Sequence, residues 1–172
     1  KTQIGPKDKS ILDVIRVACY VHQIPEAAAM IQHAHEMGYE TTCNLMAVST
    51  CKEVELDQAL EVLRETPAGT IVVVDSYGAL YREQIDNLIS KYMKALEGTG
   101  KQVGIHAHNN LQLAFANTIE GIILGANRAD ASLMGLGRGA GSGLHGRARQ
   151  VRGLLRPDPV SYTHLRAHET GR

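Results

Sequence analysis

Apolar residues run through this chain in two alternating rhythms. Short β-branched stretches, "ILDVIRVA" (11–18), "TTCNLMAV" (41–48), "TIVVVDS" (70–76), "QVGIHAH" (102–108) and "RADASL" (128–133), predict strands. Between them lie longer segments rich in Ala, Glu, Leu and Lys: "PEAAAMIQHAHEMG" (25–38), "EVELDQALEVLRET" (53–66), "YREQIDNLISKYMKALEG" (81–98) and "LQLAFANTIEGIILG" (111–125). These predict helices, the first opened by Pro25 and closed by Gly38. Near-continuous apolar strands that alternate with amphipathic helices call for an α/β fold with parallel strands covered by helices. Two architectures fit the pattern, an open doubly wound sheet and part of a (βα)8 barrel. The turn after the first strand, "CYVHQIPEA", has no Gly-x-Gly-x-x-Gly, which argues against a dinucleotide site there.

Composition changes this picture only at its edges. The chain of 172 residues is 44% hydrophobic and 21% charged, ordinary for a soluble domain, with no apolar run long enough for a membrane span. Without a secretory signal in "KTQIGPKDKS", the expected setting is cytoplasmic, and neither membrane nor nucleic acid is an expected partner. Cys19, Cys43 and Cys51 lack zinc spacing and are expected to be free, mostly buried thiols without a role. The net charge of zero conceals an acidic body and a basic end: residues 143–172 hold six Arg, no Lys and two acids. Because that stretch has no periodicity and ends in "SYTHLRAHETGR", resembling translated adapter sequence, it is expected to be a non-native or disordered tail to a domain at 1–142.

In either architecture functional groups gather where strands end and helices begin. Asp75 and Ser76, His106 and His108, and the run "GLGRGAGSG" (135–143) occupy such places. His-Ala-His occurs twice. In the helix, His33 and His35 diverge by about 200° around the axis, one expected at the surface and one against the sheet. On the strand, His106 and His108 share a face and offer two adjacent imidazoles to a divalent ion with open positions, of the Mn, Co, Fe or Zn type. Asp75 is expected to cap or fix a loop rather than ligate, and Asn109-Asn110 to cap the next helix or hold a ligand. Ser76 suits a hydrogen bond to a substrate carboxylate. Arg16, among apolar neighbours, is either ion-paired inside a barrel or an anion ligand. The glycine run could wrap a phosphate or act as a hinge.

"DVIRVACY", "DSYGAL" and above all "VGIHAHNNLQLAFANTIEGIILGANRADASLMGLGRGAGS" resemble the HMGL-like family of pyruvate-type metal-dependent aldolases and lyases, nearest its 4-hydroxy-2-oxovalerate aldolase branch. The likeness covers about residues 12–142. It implies an incomplete (βα)8 TIM barrel of about five parallel strands and four helices, lacking the first and last units. It further implies a divalent metal, Mn²⁺ foremost with Mg²⁺ or Co²⁺ as alternatives, held by His106 and His108, with Ser76, His106 and Arg16 at the substrate. The implied reaction cleaves a 4-hydroxy-2-oxo acid to pyruvate and an aldehyde, the dication stabilising the enolate charge that carbon–carbon cleavage leaves. A homo-oligomer when intact and an aldehyde dehydrogenase partner follow from the same likeness. The catalytic Asp, Arg and His of the family's first strand have no match in residues 1–11, so the fragment alone is expected to be inactive or poorly stable, with edge strands exposed. An acyl-CoA-dependent synthase or lyase of the same family and a catalytically silent fragment are the alternatives.

Overall fold

The computed structural model describes residues 4–132. Five strands, β1 (Val14–Cys19), β2 (Glu40–Leu45), β3 (Thr70–Asp75), β4 (Gln102–Ala107) and β5 (Arg128–Ala129), alternate with four helices, α1 (Ile24–Glu36), α2 (Glu53–Glu65), α3 (Arg82–Ala95) and α4 (Ala114–Ile123). All neighbouring pairs are parallel and the sheet runs β1-β2-β3-β4-β5. The order never doubles back, so among the described residues there is no topological switch point of the doubly wound kind.

Strand alternation divides the sheet into two unlike faces. Val17, Cys19, Cys43, Leu45, Ile71, Val73, Val103 and Ile105 point toward the helices and join Ile31, Leu60, Leu63, Ile85, Ile89 and Tyr92 in one apolar core. Arg16, Thr42, Asn44, Val72, Val74, Gly104 and His106 take the other parity and form the inner face. Gly121 lets α4 lie close to β4, since a Cβ there would stand 2.8 Å from Ile105 Cδ1.

The inner face is strongly concave. Both Nη atoms of Arg16, on β1, bond the Asp130 carboxylate just past β5, at 3.1 and 2.5 Å. Flat strands spaced about 4.8 Å apart would separate those two edges by roughly 19 Å, beyond the reach of one Arg and one Asp. The register also shows a stagger. Following Cα partners from Arg16 through Thr42, Thr70 and Gln102 leads to position 126, yet Arg16 meets Asp130, four residues further on. One residue of offset per strand is the shear of an eight-stranded barrel. The chain is therefore a partial barrel.

Several boundaries differ from those the sequence predicts. β1 begins at Val14, and Ile11 and Leu12 lie exposed before it; β-branching without a neighbour strand to pair with does not make a strand. β2 stops at Leu45, because Ala47 turns into the left-handed region at φ 53° and a 3-10 turn follows. α4 starts at Ala114, three residues later than its pattern, with Asn109 Oδ1 accepting the Ala114 N–H at 3.2 Å. Of the two roles open to Asn109-Asn110, Asn109 thus bonds the first N–H of α4 from four residues before the N-cap, Leu113.

Candidate active site

At the C-terminal end of β4, His106 and His108 project to the inner face, ring centroids 5.1 Å apart and tilted by 54°. His106 Nδ1 lies 2.8 Å from Asp130 Oδ2. The same carboxylate grips Arg16, so Asp130 joins a cation from β1 to an imidazole on β4. Burial pushes the Asp130 carboxyl upward, but the hydrogen bonds from His106 and then Arg16 outweigh it and bring its pKa from 3.8 to about 2. Of the two readings open for Arg16, the structure shows the ion pair inside the curved sheet.

Sequence reasoning passed over Asp130. The signal was present: residues 128, 130 and 132 share a strand parity, and a strand beside β4 places one of them next to His106. What periodicity does not encode is the curl that carries Arg16 across to it.

Asp75 behaves as a loop-fixing carboxylate. It is 1% exposed, faces the helix side, and accepts the N–H groups of Ala79 at 3.2 Å and Leu80 at 3.1 Å. Ser76, next along, returns to the inner rim, where its Oγ accepts the Ala47 N–H at 2.9 Å. That bond fixes the oxygen and leaves the hydroxyl hydrogen to donate. The turn 75–78 is bound to the segment after β4: His108 N–H donates to Asp75 O at 3.3 Å and Leu111 N–H to Gly78 O at 3.0 Å. Gly78 sits at φ 59°, and a Cβ there would come within 2.7 Å of His108 O and 2.6 Å of Asn110 N. Only glycine satisfies both the backbone conformation and this approach.

On the inner face Thr42 Oγ1 and Asn44 Oδ1 are buried without a hydrogen-bond partner among the described residues. In α1, both His33 and His35 are exposed, correcting the expectation that one packs on the sheet; buried Ala34 lies between them and takes the inward position. A cleft of about 460 Å³ opens elsewhere, at the N-terminal end of the strands, lined among others by Thr42, Thr70, Gln102 and Arg128. Barrel chemistry belongs to the opposite end, so the histidine rim is the better candidate. The Cys19 and Cys43 sulfurs, 3.8 Å apart, lie in the helix-side core and Cys51 is half-buried, free thiols as expected. The contact with Cys19, then burial, raises the Cys43 thiol far above its usual range. The glycine run 135–143 and the tail 143–172 lie outside the described residues. No described helix is long and apolar enough to cross a membrane.

Curvature, stagger and a polar cluster at the strands' C-terminal ends define a partial barrel with its charged side chains gathered on the inner face. The model of the HMGL-like family matches residues 17–145, and the chain belongs to that family. It is 35% identical over 129 residues to a 4-hydroxy-2-oxovalerate aldolase of Geobacillus thermodenitrificans, covering 75% of this chain and 37% of the relative. To 4-hydroxy-2-oxovalerate aldolase 2 of Mycolicibacterium smegmatis it is 37% identical over 120 residues, covering 68% and 34%. The chain thus spans about a third of the length of these relatives. Among solved structures, hydroxymethylglutaryl-CoA lyase from Pseudomonas aeruginosa superposes with a TM-score of 0.73 over 86% of this chain and 57% of the lyase; at 13% identity, that likeness concerns the fold.

The donor set suits a divalent ion in part. Two imidazoles on one strand face are compatible with such a metal, and the bond of His106 Nδ1 to Asp130 is the support that ligand histidines commonly carry. Among the described residues no group of three or more His, Cys, Asp or Glu is assembled to complete a site.

Proposed function

We propose that the intact protein is a divalent-metal-dependent aldolase that cleaves a 4-hydroxy-2-oxo acid to pyruvate and an aldehyde. The observation that carries this reading is the pair His106 and His108 on the inner rim, with His106 oriented by Asp130. The aldolase names of the relatives support the reaction class. His106 and His108 would hold the ion, Mn²⁺ first and Mg²⁺ or Co²⁺ next, and residues outside 4–132 would supply the other ligands and the group that moves the proton. When bound, the ion supplies a Lewis acid for the negative charge that develops as the carbon–carbon bond breaks.

Ser76 would orient the substrate: its oxygen is anchored by the Ala47 N–H, which leaves its O–H to donate to a substrate carboxylate. Arg16 would serve substrate binding at one remove, its charge engaged by Asp130 on the floor of the site. An aldehyde product would make an aldehyde dehydrogenase a natural partner, and a homo-oligomer is the proposed assembly.

The test is pyruvate formation by the intact protein from 4-hydroxy-2-oxo acids with added Mn²⁺. Chelation is expected to abolish it, and His106→Ala and His108→Ala each to lower kcat/KM by roughly 10³-fold, several kcal/mol of lost charge stabilisation. Turnover that survives both chelator and the two substitutions would exclude this function.

A further inference from the structure

We propose that Asp130 is a positioning residue of this site: braced by Arg16 from the opposite edge of the sheet, it fixes His106 in the tautomer that leaves the lone pair on Nε2 for a metal. The inference rests on the reading of His106 as a ligand and adds the residues that set its ring.

The argument starts from what a carboxylate can do. Asp130 accepts both Nη groups of Arg16, Oδ1 at 3.1 Å and Oδ2 at 2.5 Å, a two-point pair with an always-charged partner. A carboxylate held this way is ionised and acts only as an acceptor. The 2.8 Å contact from Oδ2 to His106 Nδ1 therefore requires the proton on Nδ1, and a neutral imidazole then carries its lone pair on Nε2. The tautomer follows from the bond, not from the ring.

Placement supports the same role. Asp130 N–H donates to Ile105 O at 2.9 Å, so the backbone pins Asp130 beside the strand that bears His106. Arg16 arrives from β1 and lies across the concavity, so the carboxylate is held from two directions. Asp75 provides the contrast: more deeply buried than the half-buried Asp130, it gives its oxygens to two loop amides, Ala79 and Leu80, and so fixes backbone instead of an imidazole. A carboxylate engaged by one Arg and one candidate ligand His has the connectivity of the outer support that orients metal-binding histidines.

The experiment measures Mn²⁺ binding to the intact protein, free Mn²⁺ being followed by electron paramagnetic resonance, alongside thermal melting of each variant. Asp130→Ala is expected to weaken Mn²⁺ binding about 10- to 100-fold. Asp130→Asn, which keeps an acceptor for the Nδ1 proton, should fall between it and wild type, and Arg16→Met should weaken binding by less than Asp130→Ala. If Asp130→Ala does not fold, the other two variants decide. A purely structural role predicts lowered melting temperatures with Mn²⁺ affinity unchanged, and that result would overturn the proposal provided His106→Ala and His108→Ala lose the ion. Should those two histidine variants bind Mn²⁺ like wild type, the ligand reading fails first and takes the positioning role with it.

Discussion

The two faces of this sheet are made from the same strands and do opposite work. Toward the helices, Ile71, Val73, Leu45 and Ile105 meet Leu60, Ile89 and Tyr92 in a core that admits almost no polar atom. Toward the concavity, the alternate residues of those strands include Arg16 and His106, both bonded to the Asp130 carboxylate by charge and hydrogen bonds. One face stabilises by excluding water, the other by pairing charges around a place where a ligand can sit. The difference shows how a period of two residues lets stability and chemistry be specified separately along one strand.

The sharpest way to break the contrast is at Ile71, which is fully buried on the helix side. Ile71→Ala should cost about 2–5 kcal/mol by chemical denaturation, while His106→Ala, at a half-buried position on the rim, should spare most of the stability and remove most of the activity. Equal losses of stability would show that the faces are not separable.

A second prediction concerns the ionic face. Because the folded-state pKa of Asp130 is depressed to about 2, its contribution is fully present above the ordinary carboxylate range and is lost as pH falls through about 2. The sum is roughly 2 kcal/mol. Measured without metal, the gap in unfolding free energy between wild type and Asp130→Asn should be complete near about pH 5 and close toward pH 2. A gap that does not vary with pH would remove the charge from the explanation.

The smallest effect is on the apolar face, where Tyr92 buries a hydroxyl with no partner among the described residues and burial raises its pKa well above the usual value. Tyr92→Phe removes the desolvated oxygen and keeps the ring, so it should leave stability unchanged or raise it by about 1 kcal/mol. A clear loss would mean that the helix-side core depends on a polar contact after all.

The apolar face was legible in the sequence, because burial imposes the periods that mark strand and helix. Asp75 as a loop anchor was also legible, and Asn109 as a partner for the start of α4 was one of two readings open, since both act within a few residues of themselves. What periodicity did not reveal was contact at a distance. Arg16 kept two readings open until the curl of the sheet brought Asp130 to it, and His33 and His35 both turned outward because the smaller Ala34 fits the packed position between them. Ile11 and Leu12 look like strand residues by composition, but a strand needs a neighbour.

The Arg16–Asp130 bridge also bears on the order of events in folding. Its partners stand 114 residues apart, and they can meet only after every ladder between β1 and β5 has found its register. A slip of one residue in any ladder would turn Asp130 to the wrong face. The bridge therefore closes late, as long-range contacts do, and its loss should act on the unfolding rate and leave the folding rate nearly untouched. An ion pair that supports a histidine in the finished molecule doubles as the latch by which a correctly registered sheet is kept from reopening.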